Sequence, residues 1–193
     1  MTTLWTTPLR GHCFCNACSY TLDPTREIPA AKLDAFIKEF KNNFISFWDH
    51  CTDCRRATTS LATAYFIIPL EYLVWSEGTE QHLKTYVSSN GDVERKFCRQ
   101  CGTSFTYFRH SRPGGGIDIT IGSLADEDLQ KLEELGMTPT KLHVFWETGG
   151  IRWYQKEWLH GGKEYEPSLW LDGHVADEHA VQIDVDAELA KLK

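Results

Sequence analysis

The stretch Asp49-His50-Cys51-Thr52-Asp53-Cys54-Arg55-Arg56 stands between two other cysteine pairs. Gly11-His12-Cys13-Phe14-Cys15 precedes it, and Phe97-Cys98-Arg99-Gln100-Cys101-Gly102-Thr103 follows it. Six of the seven cysteines thus form one C-x-C pair and two C-x-x-C pairs. Such spacing lets a turn offer two thiolates to one metal ion, and zinc is the ion that thiolates in a tetrahedral shell suit best. A structural zinc site is closed by four such ligands, whereas a catalytic one keeps a position open. Six paired thiols complete one closed site and leave two over. The two left over lie in the middle stretch, where chemistry is expected.

The outer pairs, Cys13, Cys15, Cys98 and Cys101, form the first expected ligand set. One zinc there would staple distant parts of the chain and remove a large loop entropy from the unfolded state. In the middle stretch two thiolates are too few to hold zinc firmly. Asp49 lies two residues before Cys51, on the same side of an extended strand, and a carboxylate is an accepted zinc ligand. Asp49, Cys51 and Cys54 are therefore the candidate catalytic metal set, with a fourth position for water, a thiol or a substrate oxygen. Two other readings stay open: a turn capped by Asp49 beside thiols that bind nothing, and a redox C-x-x-C. Arg55 and Arg56 are candidates for binding a substrate carboxylate or for lowering thiol pKa values, and a surface ion pair is their ordinary alternative. His50, between alternating ligands, is expected to point away from the metal. Cys18 reads as a small buried hydrophobe, and His110 and His143 read as isolated core or surface histidines.

With 41% hydrophobic and 12% aromatic residues the chain of 193 has the composition of one globular domain. A net charge of −7 argues against a broad nucleic-acid surface. The apolar run from Leu61 to Leu70 is too short to span a bilayer, and Met1-Thr2-Thr3-Leu4-Trp5 has no signal-peptide pattern. A reducing, cytoplasmic setting is expected, with clustered thiols as metal ligands rather than disulfides.

A helix is predicted over Pro29–Phe44, with an apolar stripe of Leu33, Phe36, Ile37, Phe40 and Phe44. Strands are predicted at Ala17–Leu22, Phe44–Trp48, Ala64–Pro69, Tyr72–Trp75, His82–Val87, Glu94–Phe97, Ser104–Arg109 and Ile117–Ile121. Ser89-Asn90-Gly91-Asp92 reads as a hairpin turn. A short helix is expected over Ala125–Leu135, and Leu142–Trp146 and Ile151–Trp158 are expected to finish an aromatic core. From Asp172 onward six acids face Lys191 and Lys193. Residues 160–193 therefore read as an acidic, solvated C-terminal extension, with an irregular helix over Glu178–Leu192. A single domain over 1–193 is expected.

At this point the chain resembles the glutathione-dependent formaldehyde-activating enzymes and their relatives, including centromere protein V. The matching features are Gly11-x-Cys13-x-Cys15 with Tyr20, His50-Cys51-x-x-Cys54-Arg55-Arg56, and Cys98-x-x-Cys101-Gly102-Thr103. Gly122-Ser123-Leu124 and His143-Val144-Phe145 with Trp153 also match, so the resemblance covers about residues 9–158. It implies a mainly β, two-sheet zinc fold, the β-tent, with a structural zinc on Cys13, Cys15, Cys98 and Cys101. It also implies a second, more labile zinc at Cys51 and Cys54, where glutathione is handled. The chain departs from the family at Asp49, where a cysteine is usual, and in the helix at 29–44, which resembles an insertion. The function expected is that of a carbon–sulfur lyase-type enzyme that adds a thiol such as glutathione reversibly to a carbonyl. The alternatives are a zinc-assisted lyase or isomerase acting on a larger metabolite, and a non-catalytic zinc-binding protein-interaction module. A small-molecule substrate is expected, without nucleic acid or membrane, and a homodimer stays open.

Overall fold

The computed structural model describes residues 4–139, 142–155, 169–172 and 181–182. The chain is mainly β, with two sheets and a few short helices. Two compact units are formed, one by residues 1–45 and 66–137 and the other by residues 46–65 and 138–193.

In the first unit, β1 (Leu9–His12), β2 (Ser19–Leu22) and β5 (Leu73–Trp75) make a three-stranded antiparallel sheet in the order β1-β2-β5. A second antiparallel array follows chain order: β6 (Leu83–Ser88), β7 (Val93–Cys98), β8 (Ser104–Arg109) and β9 (Gly116–Thr120). Consecutive strands joined by tight turns give this meander, and the turn between β6 and β7 has Ser89, Asn90 and Gly91 all at positive φ. Those angles suit the right-handed strand twist, which is why Asn-Gly belongs there.

Helix α1 spans Ala30–Phe40 and buries Phe36 and Phe40. It stops earlier than the apolar spacing predicts. Lys41 adopts a left-handed conformation at φ 62°, and its N–H donates to the Ile37 carbonyl. The Asn43 side chain then accepts from the Trp5 N–H at 3.0 Å and donates to the Trp5 carbonyl at 2.7 Å. That pair commits the chain to leave the helix. Phe44 reaches the core from outside it, edge-on to Trp5 at 6.3 Å. The short helix expected at 125–135 reduces to α3 (Asp126–Leu129), continued by a 3-10 turn over Gln130–Leu132.

A buried ion pair, Arg112 with Asp118, ties the turn after β8 to β9, and both arginines Arg95 and Arg112 lie over the Tyr107 ring. Desolvation raises the Asp118 carboxyl, and the guanidinium opposes it.

In the second unit, β3 (Ile45–Asp49, its first residue in the other unit) pairs in parallel with β10 (Leu142–Val144). Strand β10 pairs in parallel with β11 (Leu169–Asp172), and β11 pairs antiparallel with β12 (Val181–Gln182). The predicted solvated extension is therefore corrected at two places. Leu169-Trp170-Leu171 and Val181 supply strand residues, and neighbouring strands take their backbone hydrogen bonds. The rest of the helix expected over 178–192 lies outside the described residues. Residues 152–155 are helical and Trp153 is 61% exposed, so it does not finish a core as expected. Trp158 lies outside the described residues. Among the described residues no helix is long and apolar enough to cross a membrane.

Candidate metal centres

The first thiol set belongs to one unit and is built by two knuckles. In the first, the Cys13 N–H donates to the Cys18 carbonyl at 2.9 Å, and the Asn16 N–H turns back to the Cys13 carbonyl at 3.0 Å. Asn16 takes φ 60° there, a conformation Asn tolerates better than most residues. In the second, the Gly102 N–H donates to the Cys98 carbonyl at 2.9 Å, and the Cys98 N–H donates to the Thr103 carbonyl at 2.9 Å. Gly102 sits at φ 79°, where a side chain would be strained.

The sulfurs of Cys13, Cys15, Cys98 and Cys101 all lie within 4.8 Å of one another. Cys13 Sγ and Cys15 Sγ are 3.5 Å apart, and Cys15 Sγ and Cys98 Sγ are 3.7 Å apart. Thiolates at about 2.3 Å from one tetrahedral ion stand roughly 3.8 Å from each other, so these spacings fit a single ion of zinc's size. Thr103 binds the knuckles together: its hydroxyl accepts from the Phe14 N–H at 3.1 Å and meets Cys101 Sγ at 3.2 Å. Burial raises the Cys101 thiol, yet the Thr103 hydroxyl and backbone N–H groups outweigh it and hold the thiol down at about 5. At Cys15 an N–H from Ala17 lowers the thiol, but burial and the three neighbouring thiols win and push it up to about 12. The two thiols are thus pushed in opposite directions, as crowded acids are. A cation would relieve all four. Cys18 is fully buried, outside this ligand group, with its N–H donating to Cys13 Sγ at 3.3 Å.

The second set lies wholly in the other unit. Asp49 ends β3, and Cys51 is the N-cap of helix α2 (Thr52–Thr58), a helix the sequence reading does not anticipate. The Cys51 sulfur accepts from the Cys54 N–H at 3.2 Å. A cysteine sulfur there takes the place of the usual Ser or Asp cap. Cys54 lies in the first helical turn, and Asp49, Cys51 and Cys54 place their ligand atoms within 4.8 Å of one another. The extended-strand geometry expected for Asp49 and Cys51 is thus replaced by a strand end and a helix cap. One Asp49 oxygen accepts from the Cys51 N–H at 2.6 Å, so the carboxylate does cap the turn. Capping and metal binding are compatible, because an ionised carboxylate offers roughly four acceptor positions. Asp49 and Cys54 are buried, while Cys51 is partly exposed and offers a way in from solvent.

Arg55 and Arg56 follow in α2. Arg56 is exposed and Arg55 half-buried. Among the described residues Arg55 Nε is buried without a hydrogen-bond partner, and neither arginine makes an ion pair. Their expected surface ion pair is therefore not found there.

Two histidines correct the sequence reading. His143 is not isolated: it lies on β10 and its Nδ1 is 2.8 Å from His50 Nε2. Both rings are buried, stacked at 5.1 Å, and Trp146 stands edge-on to them at 4.9 and 5.7 Å. Desolvation holds His50 down at about 4, and desolvation with the charge of His50 holds His143 down at about 2. The pair is neutral, one ring donating and the other accepting. No local sequence signal gives this pair; it arises from the parallel register of β3 and β10. His110 also has a partner, Glu94, at 3.1 Å.

A family model described as glutathione-dependent formaldehyde-activating enzyme matches residues 36–147, more than half of the chain. A solved structure of a Rhodobacter sphaeroides structural-genomics protein is similar at 18% identity and TM-score 0.44, over 64% of this chain and 94% of that one. No curated protein matches.

Proposed function

Because the chain belongs to the glutathione-dependent formaldehyde-activating enzyme family, we propose that it catalyses reversible addition of a thiol such as glutathione to a small carbonyl compound. The observation that carries this reading is the second ligand set: Asp49, Cys51 and Cys54 converge at the mouth of α2 with Cys51 reachable from solvent. Three ligands, two of them sulfur, fit a zinc ion with one position left for a reactant. The ion, when bound, supplies Lewis acidity that favours an ionised thiol or a polarised carbonyl.

The chain's own residues do the rest. The start of α2 presents backbone N–H groups and the positive end of its dipole, which favour negative charge on sulfur. Among the described residues Arg55 Nε is a buried donor without an acceptor, and a carboxylate of the incoming thiol would pair with it, the donor itself being already desolvated. Arg56, exposed on the same helix, adds long-range attraction for an anion. In the forward direction the sulfur–carbon bond forms, the carbonyl π bond opens, and the thiol proton goes to the carbonyl oxygen. The product is a hydroxyalkyl thioether, and nothing is oxidised. The outer four-thiolate set is proposed as the structural zinc.

Exchange spectroscopy by NMR on a mixture of formaldehyde and glutathione tests this. Zinc-loaded protein should accelerate adduct formation and breakdown above the spontaneous rate, and Cys54→Ser should abolish the acceleration. Arg55→Gln should raise KM for the thiol more than it lowers kcat. Spontaneous rates with wild type, together with no heat from millimolar glutathione in calorimetry, would end the proposal.

A further inference from the structure

Every residue in this argument belongs to the second unit. The peptide that carries Asp49 and Cys51 is held from two directions. From the side-chain direction, His50 lies between the two ligands in sequence and gives no atom to the set. Its ring is instead bonded to His143 at 2.8 Å and backed by Trp146. From the backbone direction, the His50 N–H donates to the Val144 carbonyl at 3.1 Å, continuing the β3–β10 ladder one residue beyond Asp49. The turn helix α4 (Trp146–Gly149) then closes over the same peptide. A Cβ at Gly149 would meet the His50 carbonyl oxygen and lie 2.6 Å from Cys51 Cα. Only glycine allows that approach.

We propose that His143 is a positioning residue for the Asp49–Cys51–Cys54 metal set, acting through its hydrogen bond to His50. The argument is geometric. Asp49 and Cys51 are joined by one residue, and a rotation about the backbone of that residue swings the carboxylate away from the two sulfurs. Locking the His50 ring to β10 removes that freedom. The set is then already convergent before a metal arrives, and less ordering is needed on binding. Outer partners of this kind typically change metal affinity 10–100-fold when lost.

This inference rests on the reading that the second set binds metal, and the experiment separates the two. The full chain is loaded with cobalt(II), whose thiolate charge-transfer and d–d bands report each site, and zinc release to a competing chelator is followed in parallel. Wild type should bind two ions. His143→Phe should hold the second ion about 10–100-fold more weakly and shift its cobalt bands, with binding of the first ion unchanged and the zinc-loaded protein melting only some degrees lower, as loss of one buried hydrogen-bond partner of His50 requires. His143→Asn, whose amide stands where Nδ1 stood, should recover most of the affinity. If His143→Phe does not fold, His143→Gln, which moves the bonding atom, is read in its place. Two ions with unchanged second-site affinity and spectrum in the variant overturn the role of His143 and leave the metal set standing. One ion in wild type overturns both.

Discussion

Gly11→Ala offers a sharp test of how the first knuckle is seated. Gly11 pairs with Tyr20 across β1 and β2. A Cβ there would fall inside the Tyr20 ring, meeting Cζ and the hydroxyl and standing 2.6 Å from Cε1. An ordinary contact needs about an ångström more, so the ring must move. Tyr20 has little room: it is 2% exposed, and its hydroxyl meets Ser123 Oγ at 2.7 Å. Its ring is edge-on to Trp75 at 5.6 Å and to Phe105 at 5.8 Å. Loss of a buried hydroxyl's partner costs about 1–3 kcal/mol, and each aromatic contact about 0.5–1.5 kcal/mol. We expect about 4 kcal/mol in all, and for a chain of this size a fall in melting temperature of roughly 8–16 °C. The assay is thermal or urea unfolding of the zinc-loaded protein. Tyr20→Val should absorb the clash, so Gly11→Ala should cost under about 1 kcal/mol in that background, a strong positive coupling. A single variant that melts within a few degrees of wild type would show that the ring does not fill this space.

Cys98→Ser should give insoluble or strongly destabilised protein, because structural zinc contributes on the order of 10 kcal/mol in small domains; soluble protein with wild-type melting and metal content would refute the four-thiolate staple. Asp49→Cys should raise metal content towards two ions per chain under limiting zinc, and Asp49→Ala should leave about one, measured by elemental analysis after chelator challenge. Identical metal content and release kinetics in wild type and Asp49→Ala would remove Asp49 from the ligand set. Burial raises the Asp128 carboxyl, but Arg10 and Lys131 outweigh it and hold it down at about 2. A depressed carboxyl stabilises the fold above the ordinary carboxylate pKa of about 4, and this is lost as pH falls towards 2. Since both partners are substantially exposed, we expect Asp128→Asn to cost only about 1 kcal/mol at pH 7. The difference should vanish near pH 2, and equal loss at both pH values would show that packing, not charge, is at stake.

Most strands were legible as short runs of β-branched and aromatic residues bounded by turn residues, whether they alternate, as Ser19–Leu22 does, or are buried almost throughout, as Thr63–Pro69 is. Ser104–Arg109 agrees at both ends, and Thr63–Pro69 differs from the reading by a single residue. Helix α1 was legible from its stripe, but its end was not, since Lys41 gives no sign that it will turn left-handed. Helix α2 escaped notice for a different reason. Thr52-Asp53-Cys54-Arg55-Arg56-Ala57-Thr58 buries only Cys54, so no apolar period exists to be seen. Its weak signals are electrostatic: Asp53 in the first turn and Cys51 as a cap. The convergence within each cysteine pair was legible from spacing, because a turn of two to four residues largely determines where a second sulfur falls. The His50–His143 contact spans 93 positions. It depends on which strand lies beside β3, and a single chain does not state that.

The contrast between the two ligand sets also bears on what each can do. The first joins Cys15 to Cys98 across 83 positions. Closing a loop of that length costs the unfolded chain about 4 kcal/mol by the logarithmic rule. A metal bound there would do structural work, and losing it would destabilise the unit. The second set runs only from Asp49 to Cys54, at a strand end and a helix start that hydrogen bonds already join. Its ion would close almost no loop. Removing or exchanging it should therefore leave the fold standing. The carboxylate sharpens the difference. It is harder than a thiolate and yields more readily to water or to an incoming thiol at a zinc ion. A site that the fold does not depend on, with a ligand that gives way, can change its coordination during a reaction. A metal held by the four thiolates could not do so without destabilising the unit it would hold together.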